Sequence, residues 1–201
     1  MKTGDLLLFS YNGGGLFGCF TKCIKKCTHS KFSHIGMIVE NPTFIDPKLK
    51  GIYVWESSWN GTPDPQDGKI KLGVQLTPIT ELFNEYKKTN GQIYLRKVEH
   101  GENTENPFQP ETLREIHDTV YDKPYDIVPL DWIEALFRLD TEPQKTNRFW
   151  CSALVGYIYT KCGILNSDTD WSVLRASDFS VSQEHLHLNE GYSLGNQYRM
   201  V

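Results

Sequence analysis

Three residues in this chain are of types that, brought together, perform acyl transfer: Cys151, His34 and Glu56. A thiolate attacks a carbonyl carbon, an imidazole takes and returns the proton, and a carboxylate orients the imidazole and stabilises its cation. Cys151 stands in TNRFWCSALVGYIY, where Cys151, Leu154, Val155, Ile158 and Cys162 recur at helical spacing. The pattern predicts a helix over 148–162, capped by Thr146 or Asn147, with the cysteine about one turn in. Unpaired N–H groups and the dipole at a helix N-terminus favour an anion, so a thiol there ionises more easily. The same groups can donate to an oxyanion. Most free cysteines are small buried residues, and the segment alone reads that way first.

His34 lies in KFSHIGMIVE, near the start of an apolar strand whose alternation puts His34, Gly36 and Ile38 on one face. Gly36 leaves space beside the imidazole for a neighbouring side chain or ligand. Glu56 ends GIYVWES on the face of Ile52 and Val54, opposite Tyr53 and Trp55. Taken singly, a strand histidine satisfied by backbone and an exposed strand-end glutamate are the commoner roles. The information lies in the conjunction.

The elements that must position these residues follow from periodicity and turn residues. Strands are predicted at 5–9, 34–40, 51–56, 73–78 and 92–98, and helices at 79–89 and 110–121 besides the cysteine-bearing one. Lys161 in the last turn and Gly163 just beyond close that helix. The polar stretch 100–109 reads as a surface connection, and 166–201 is mixed in character with no element assigned. Strands followed by helices point to an α+β fold, in one domain over 1–201. The 201 residues are 39% hydrophobic with a net charge of -4, which excludes a disordered chain and disfavours a nucleic-acid binder. No apolar run reaches the ~18 residues of a membrane span, and the short run after Asp5 is no secretory signal. The expectation is therefore an intracellular protein in a reducing compartment.

Five segments in order, TGDLLLF, SHIGMIVE, VWES, DKPYD and FWCSALV, resemble the permuted NlpC-like papain-fold cysteine hydrolases. Within that family the likeness is to the YiiX-like branch related to lecithin–retinol acyltransferase, and LGVQLTPITELF resembles its strand-to-helix step. It spans roughly 3–163, and the histidine-before-cysteine order is its marker. The resemblance implies a circularly permuted papain-like fold: an antiparallel sheet or partial barrel packed against helices, with the nucleophile at a helix N-terminus. It implies Cys151 as nucleophile, His34 as base, Glu56 as the third member and Tyr125 as a substrate or oxyanion contact. Asp126 and Asp5 take structural roles. The implied reaction cleaves an amide, ester or thioester through an acyl-thioester, on lipid or N-acyl/peptide substrates, without a cofactor or metal.

Other features compete for attention. Cys19, Cys23 and Cys27 recur every fourth residue and would stack on one face of a helix over 16–27, with Lys22, Lys25 and Lys26 around the other side. Such a helix can dock on a membrane, the more so if palmitoylated, or can simply bury its thiols. His185 and His187 form a candidate metal pair without a third ligand, so an exposed polar strand face is the preferred reading. Trp55, Trp59, Trp132 and Trp150 could wall an acyl pocket or pack the core. Asn60-Gly61-Thr62 fits a glycosylation sequon, which carries no weight without export. The alternatives to an enzyme are a non-catalytic lipid- or partner-binding module on the same fold, and an interaction protein working through its clustered cysteines.

Overall fold

The LLLFS segment, Leu6–Ser10, is buried along its whole length. Successive strand side chains point to opposite faces, so such a strand must be covered on both sides. The computed structural model describes residues 1–11, 30–102, 104–126 and 146–201, and in it this segment is β1. It is followed by β2 (His34–Glu40), β3 (Ile52–Ser58), β4 (Gly73–Pro78), α1 (Ile79–Lys88), β5 (Gln92–His100), α2 (Pro110–Val120), α3 (Cys151–Lys161) and β6 (Tyr192–Arg199). The six strands form one antiparallel sheet in the order β4-β3-β2-β1-β5-β6, so the architecture is mixed α+β with three described helices.

Strand parity divides the core into two layers. Leu6, Leu8, Ile35, Met37, Trp55 and Leu76 pack toward α2 and α3. Leu7, Phe9, Ile38, Val54, Ile93 and Leu95 pack toward Ile79, Leu82 and Tyr86 of α1. Each such fully buried side chain contributes about 1.5–3 kcal/mol. α3 is buried along its length from Cys151 to Tyr159. It is tied down by Tyr159, whose hydroxyl donates to Gly4 O at 2.6 Å, and by Ser152, whose hydroxyl donates to Leu174 O at 2.7 Å. Its end matches the expected stop, with Gly163 at φ +70.

Several boundaries depart from expectation by a residue or more. α3 begins at Cys151 rather than at 148, because the backbone of Phe149 is already committed. Phe149 N–H donates to Pro124 O at 3.1 Å and Phe149 O accepts from Asp126 N–H at 3.2 Å, a parallel bridge with Tyr125 that holds the segment extended. The N-cap is therefore Trp150, with no side-chain cap, instead of Thr146 or Asn147. β3 and β5 each run two residues further, to Ser58 and His100.

A further departure is β6, a strand in the region left without an element. It is an edge strand held by Arg96, which is 3% exposed. The guanidinium donates to Gly195 O at 2.9 Å, Leu194 O at 3.2 Å and Phe179 O at 2.9 Å, and pairs with Glu184. The segment carrying His185 and His187 is irregular rather than a strand. Their rings lie 6.2 Å apart, and no cluster of three metal-ligating side chains occurs among the described residues. The cysteine-rich segment 16–27 and Trp132 lie outside the described residues. No described helix is long and apolar enough to cross a membrane.

Candidate functional site

The site lies where β2 and β3 part. Their pairing runs from Glu40↔Ile52 to Met37↔Trp55 and stops there. Ile38 N–H donates to Asp5 O, just before β1, at 2.7 Å, so alternation turns the N–H of Ile35 toward the β3 side. With no ladder partner at that level, this N–H donates instead to the sulfur of Cys151. Ser57 on β3 holds the approach to the cysteine, its hydroxyl donating to Phe149 O at 2.6 Å. Cys151 thus enters the gap as the first residue of α3, and Ser152 N–H also donates to its sulfur.

His34 and Glu56 share the opposite sheet face, as strand parity requires. His34 Nε2 donates to Glu56 Oε2 at 2.6 Å, with 14% of the histidine side chain and 1% of the glutamate side chain exposed. Gly36 makes this reach feasible. A Cβ there would stand 2.4 Å from Val54 Cγ1 and 3.3 Å from Glu56 Cβ, so the absent side chain leaves the space that Val54 and Glu56 use. The imidazole packs on Phe9 at 5.1 Å between ring centroids, and Phe9 packs on Tyr86 of α1 at the same distance. With Nε2 engaged by Glu56, the other ring nitrogen is left for the hydrogen bond to Cys151.

Charge follows from this geometry. Burial alone pushes the Cys151 thiol up, but the His34 charge and hydrogen bond, with the N–H groups of Ile35 and Ser152, hold it below the usual thiol range. Burial alone pushes the His34 imidazole down, yet the Cys151 charge and hydrogen bond, then those of Glu56, raise it to about 10. Thiolate and imidazolium stabilise each other. Cys162, buried at the C-cap of the same helix without such partners, is pushed up to about 12 and stays a thiol.

Tyr125 joins the same sulfur. Its hydroxyl is in hydrogen-bond contact with Cys151, and burial, the Cys151 charge and that bond keep the phenol protonated far above its ordinary range. The strap carrying it lies against β4 through Tyr125 N–H to Leu72 O at 3.0 Å and Val74 N–H to Lys123 O at 2.9 Å. Gly73 permits the approach: its φ is +152, and a Cβ would sit 2.2 Å from Lys123 O.

All four sequence-derived candidates, Cys151, His34, Glu56 and Tyr125, therefore meet at one point. Asp126 supports the strap through Arg148 at 3.2 Å. Asp5 is fully buried at the far end of β1 and takes no part in the site. The described tryptophans of that group sit in different settings. Trp55 is in the core layer facing α3, Trp150 is 8% exposed and Trp59 is 56% exposed. Sequence reasoning missed Phe9, Ile35 N–H and Thr77, whose hydroxyl donates to Glu56 Oε1 at 2.6 Å. A threonine two residues before a helix carries no local signal of such a role. No family model matches the chain, and no curated protein matches it significantly in sequence.

Proposed function

We propose that this protein is a cysteine-dependent hydrolase or acyltransferase on a circularly permuted papain-like fold. Cys151 is its nucleophile at a helix N-terminus, and His34 and Glu56 complete the triad. The observation that carries the reading is the single hydrogen-bonded line from thiol to imidazole to buried carboxylate, with the thiol held down and the imidazole held up. A buried ion pair of this kind is costly to assemble for stability alone, and perturbed titrations gather where chemistry needs them. The histidine-before-cysteine order, with five of the six strands preceding the cysteine helix, supports the permuted arrangement.

The Cys151 thiolate adds to the carbonyl carbon of an amide, ester or thioester, forming a C–S bond and an oxyanion. The N–H groups at the start of α3 that have no acceptor within the helix ladder, and the Tyr125 hydroxyl, are the donors to that oxygen. The tetrahedral species collapses, the bond to the leaving group breaks, and the His34 imidazolium gives that group its proton. Water or another acceptor, deprotonated by His34, then attacks the thioester and frees Cys151. Substrates are acyl lipids or N-acyl and peptide-type amides, and no metal or organic cofactor takes part.

The test is to incubate the protein with a mixed set of acyl lipids and short peptides, then map adducts by mass spectrometry. An acyl group on Cys151 and none on Cys162 is the expected result, abolished in Cys151→Ser. Equal and slow iodoacetamide labelling of both thiols would remove the basis for the proposal.

A further inference from the structure

Glu56 is fully buried, and only one of its two carboxylate oxygens faces His34. The other accepts from Thr77 Oγ1 at 2.6 Å, across the β3–β4 pair. Thr77 Oγ1 in turn accepts from Asn60 Nδ2 at 2.7 Å. The orientation of the Asn60 amide is determined independently. Its Oδ1 accepts from Thr62 N–H and from the Thr62 hydroxyl, each at 3.0 Å. A backbone N–H can only donate, so the oxygen faces Thr62 and the NH₂ must face Thr77. The threonine hydroxyl has one hydrogen. Asn60 presents a donor to the hydroxyl, so that hydrogen is directed at the carboxylate, which can only accept.

We infer that Asn60 and Thr77 are positioning residues of the same centre, forming a one-way donor relay that locks the rotamer of Glu56 and with it the His34 ring. The inference rests on the catalytic reading above for its purpose, but not for its geometry. Every donor in the line points one way: Thr62 N–H to Asn60, Asn60 N–H to Thr77, Thr77 O–H to Glu56, with His34 Nε2–H closing on the other oxygen. The relay also accounts for Asn60 in the sequon: its nitrogen is used as a donor. Other ionisable groups near Glu56 and His34 are Glu85 and Tyr86 of α1, besides Cys151. Of these, Glu85 is held protonated to higher pH than usual by burial and by the Glu56 charge.

The experiment uses the full chain and two readouts that a purely structural role would leave alone: the His34 NMR titration and the His34 Nε2–H proton resonance. Thr77→Val keeps the shape of the side chain and deletes the hydroxyl. Its His34 midpoint is expected to fall by about half a unit or more, with the Nε2–H resonance moving upfield. Thr77→Ser restores both. Asn60→Asp places an acceptor where the relay needs a donor and turns the hydroxyl hydrogen away from Glu56; it is expected to reproduce the upfield Nε2–H shift of Thr77→Val while remaining folded by circular dichroism, its added charge opposing the fall in midpoint. Wild-type values for both readouts in Thr77→Val and Asn60→Asp would overturn the inference. An ordinary, slow Cys151 thiol in the wild-type chain would instead refute the catalytic reading, and the proton resonance would still decide the relay.

Discussion

The carboxylate of Glu56 is the component whose removal is easiest to work through. Glu56→Gln keeps the length and the buried position, so His34 Nε2–H can still donate to a carbonyl oxygen at the site of the present 2.6 Å bond. What is lost is charge. A hydrogen bond to a charged group contributes roughly 1.5–3 kcal/mol and a neutral one roughly 0.5–1.5, a difference of about 1–1.5 kcal/mol. At 1.36 kcal/mol per unit this lowers the His34 midpoint, now about 10, by about one unit. The same energy shifts the ratio of thiolate–imidazolium to neutral thiol–imidazole about tenfold toward the neutral pair. The pair survives, because Cys151 contributes more than Glu56 to holding the imidazole up.

Stability follows with a definite sign. The folded His34 titrates above its unfolded value of 6.5, so its contribution is complete below about 6.5 and is lost as pH rises through about 10. In Glu56→Gln the upper end of that window moves down. The assay is an NMR titration of His34 in both proteins, with urea unfolding at several pH values alongside. A His34 midpoint within a few tenths of wild type in Glu56→Gln would show that the carboxylate does not charge the imidazole, and the reasoning would fail.

Two further outcomes follow from the same geometry. Tyr125→Phe removes the phenolic donor to Cys151, and is expected to slow acyl-enzyme formation roughly 10²-fold while the melting temperature changes little. An unchanged single-turnover rate would exclude Tyr125 from the chemistry. Gly36→Ala puts a methyl 2.4 Å from Val54 Cγ1 and 3.3 Å from Glu56 Cβ. It is expected to cost about 1–3 kcal/mol by denaturant unfolding and to displace Glu56 from His34, and native stability with wild-type alkylation would contradict it.

Local pattern carried much of this protein. Alternation in HIGMIVE and IYVWES placed His34 with Gly36 on one face of its strand and Glu56 with Val54 on one face of the next, and 3.6-residue spacing found the helix that bears Cys151, because those periods are written in consecutive side chains. Register is not. That Thr77 meets Glu56 depends on how β3 pairs with β4. That Ile35 N–H is free for a sulfur depends on where β2 and β3 diverge. Cys151 is the first helical residue only because Pro124 and Asp126, distant in sequence, have claimed the backbone of Phe149. β6 forms around a buried arginine on the neighbouring strand, with little apolar alternation of its own to announce it. Residue types and their parity are properties of the chain; pairing between distant segments is decided by which arrangement satisfies their backbone groups and fills the core together.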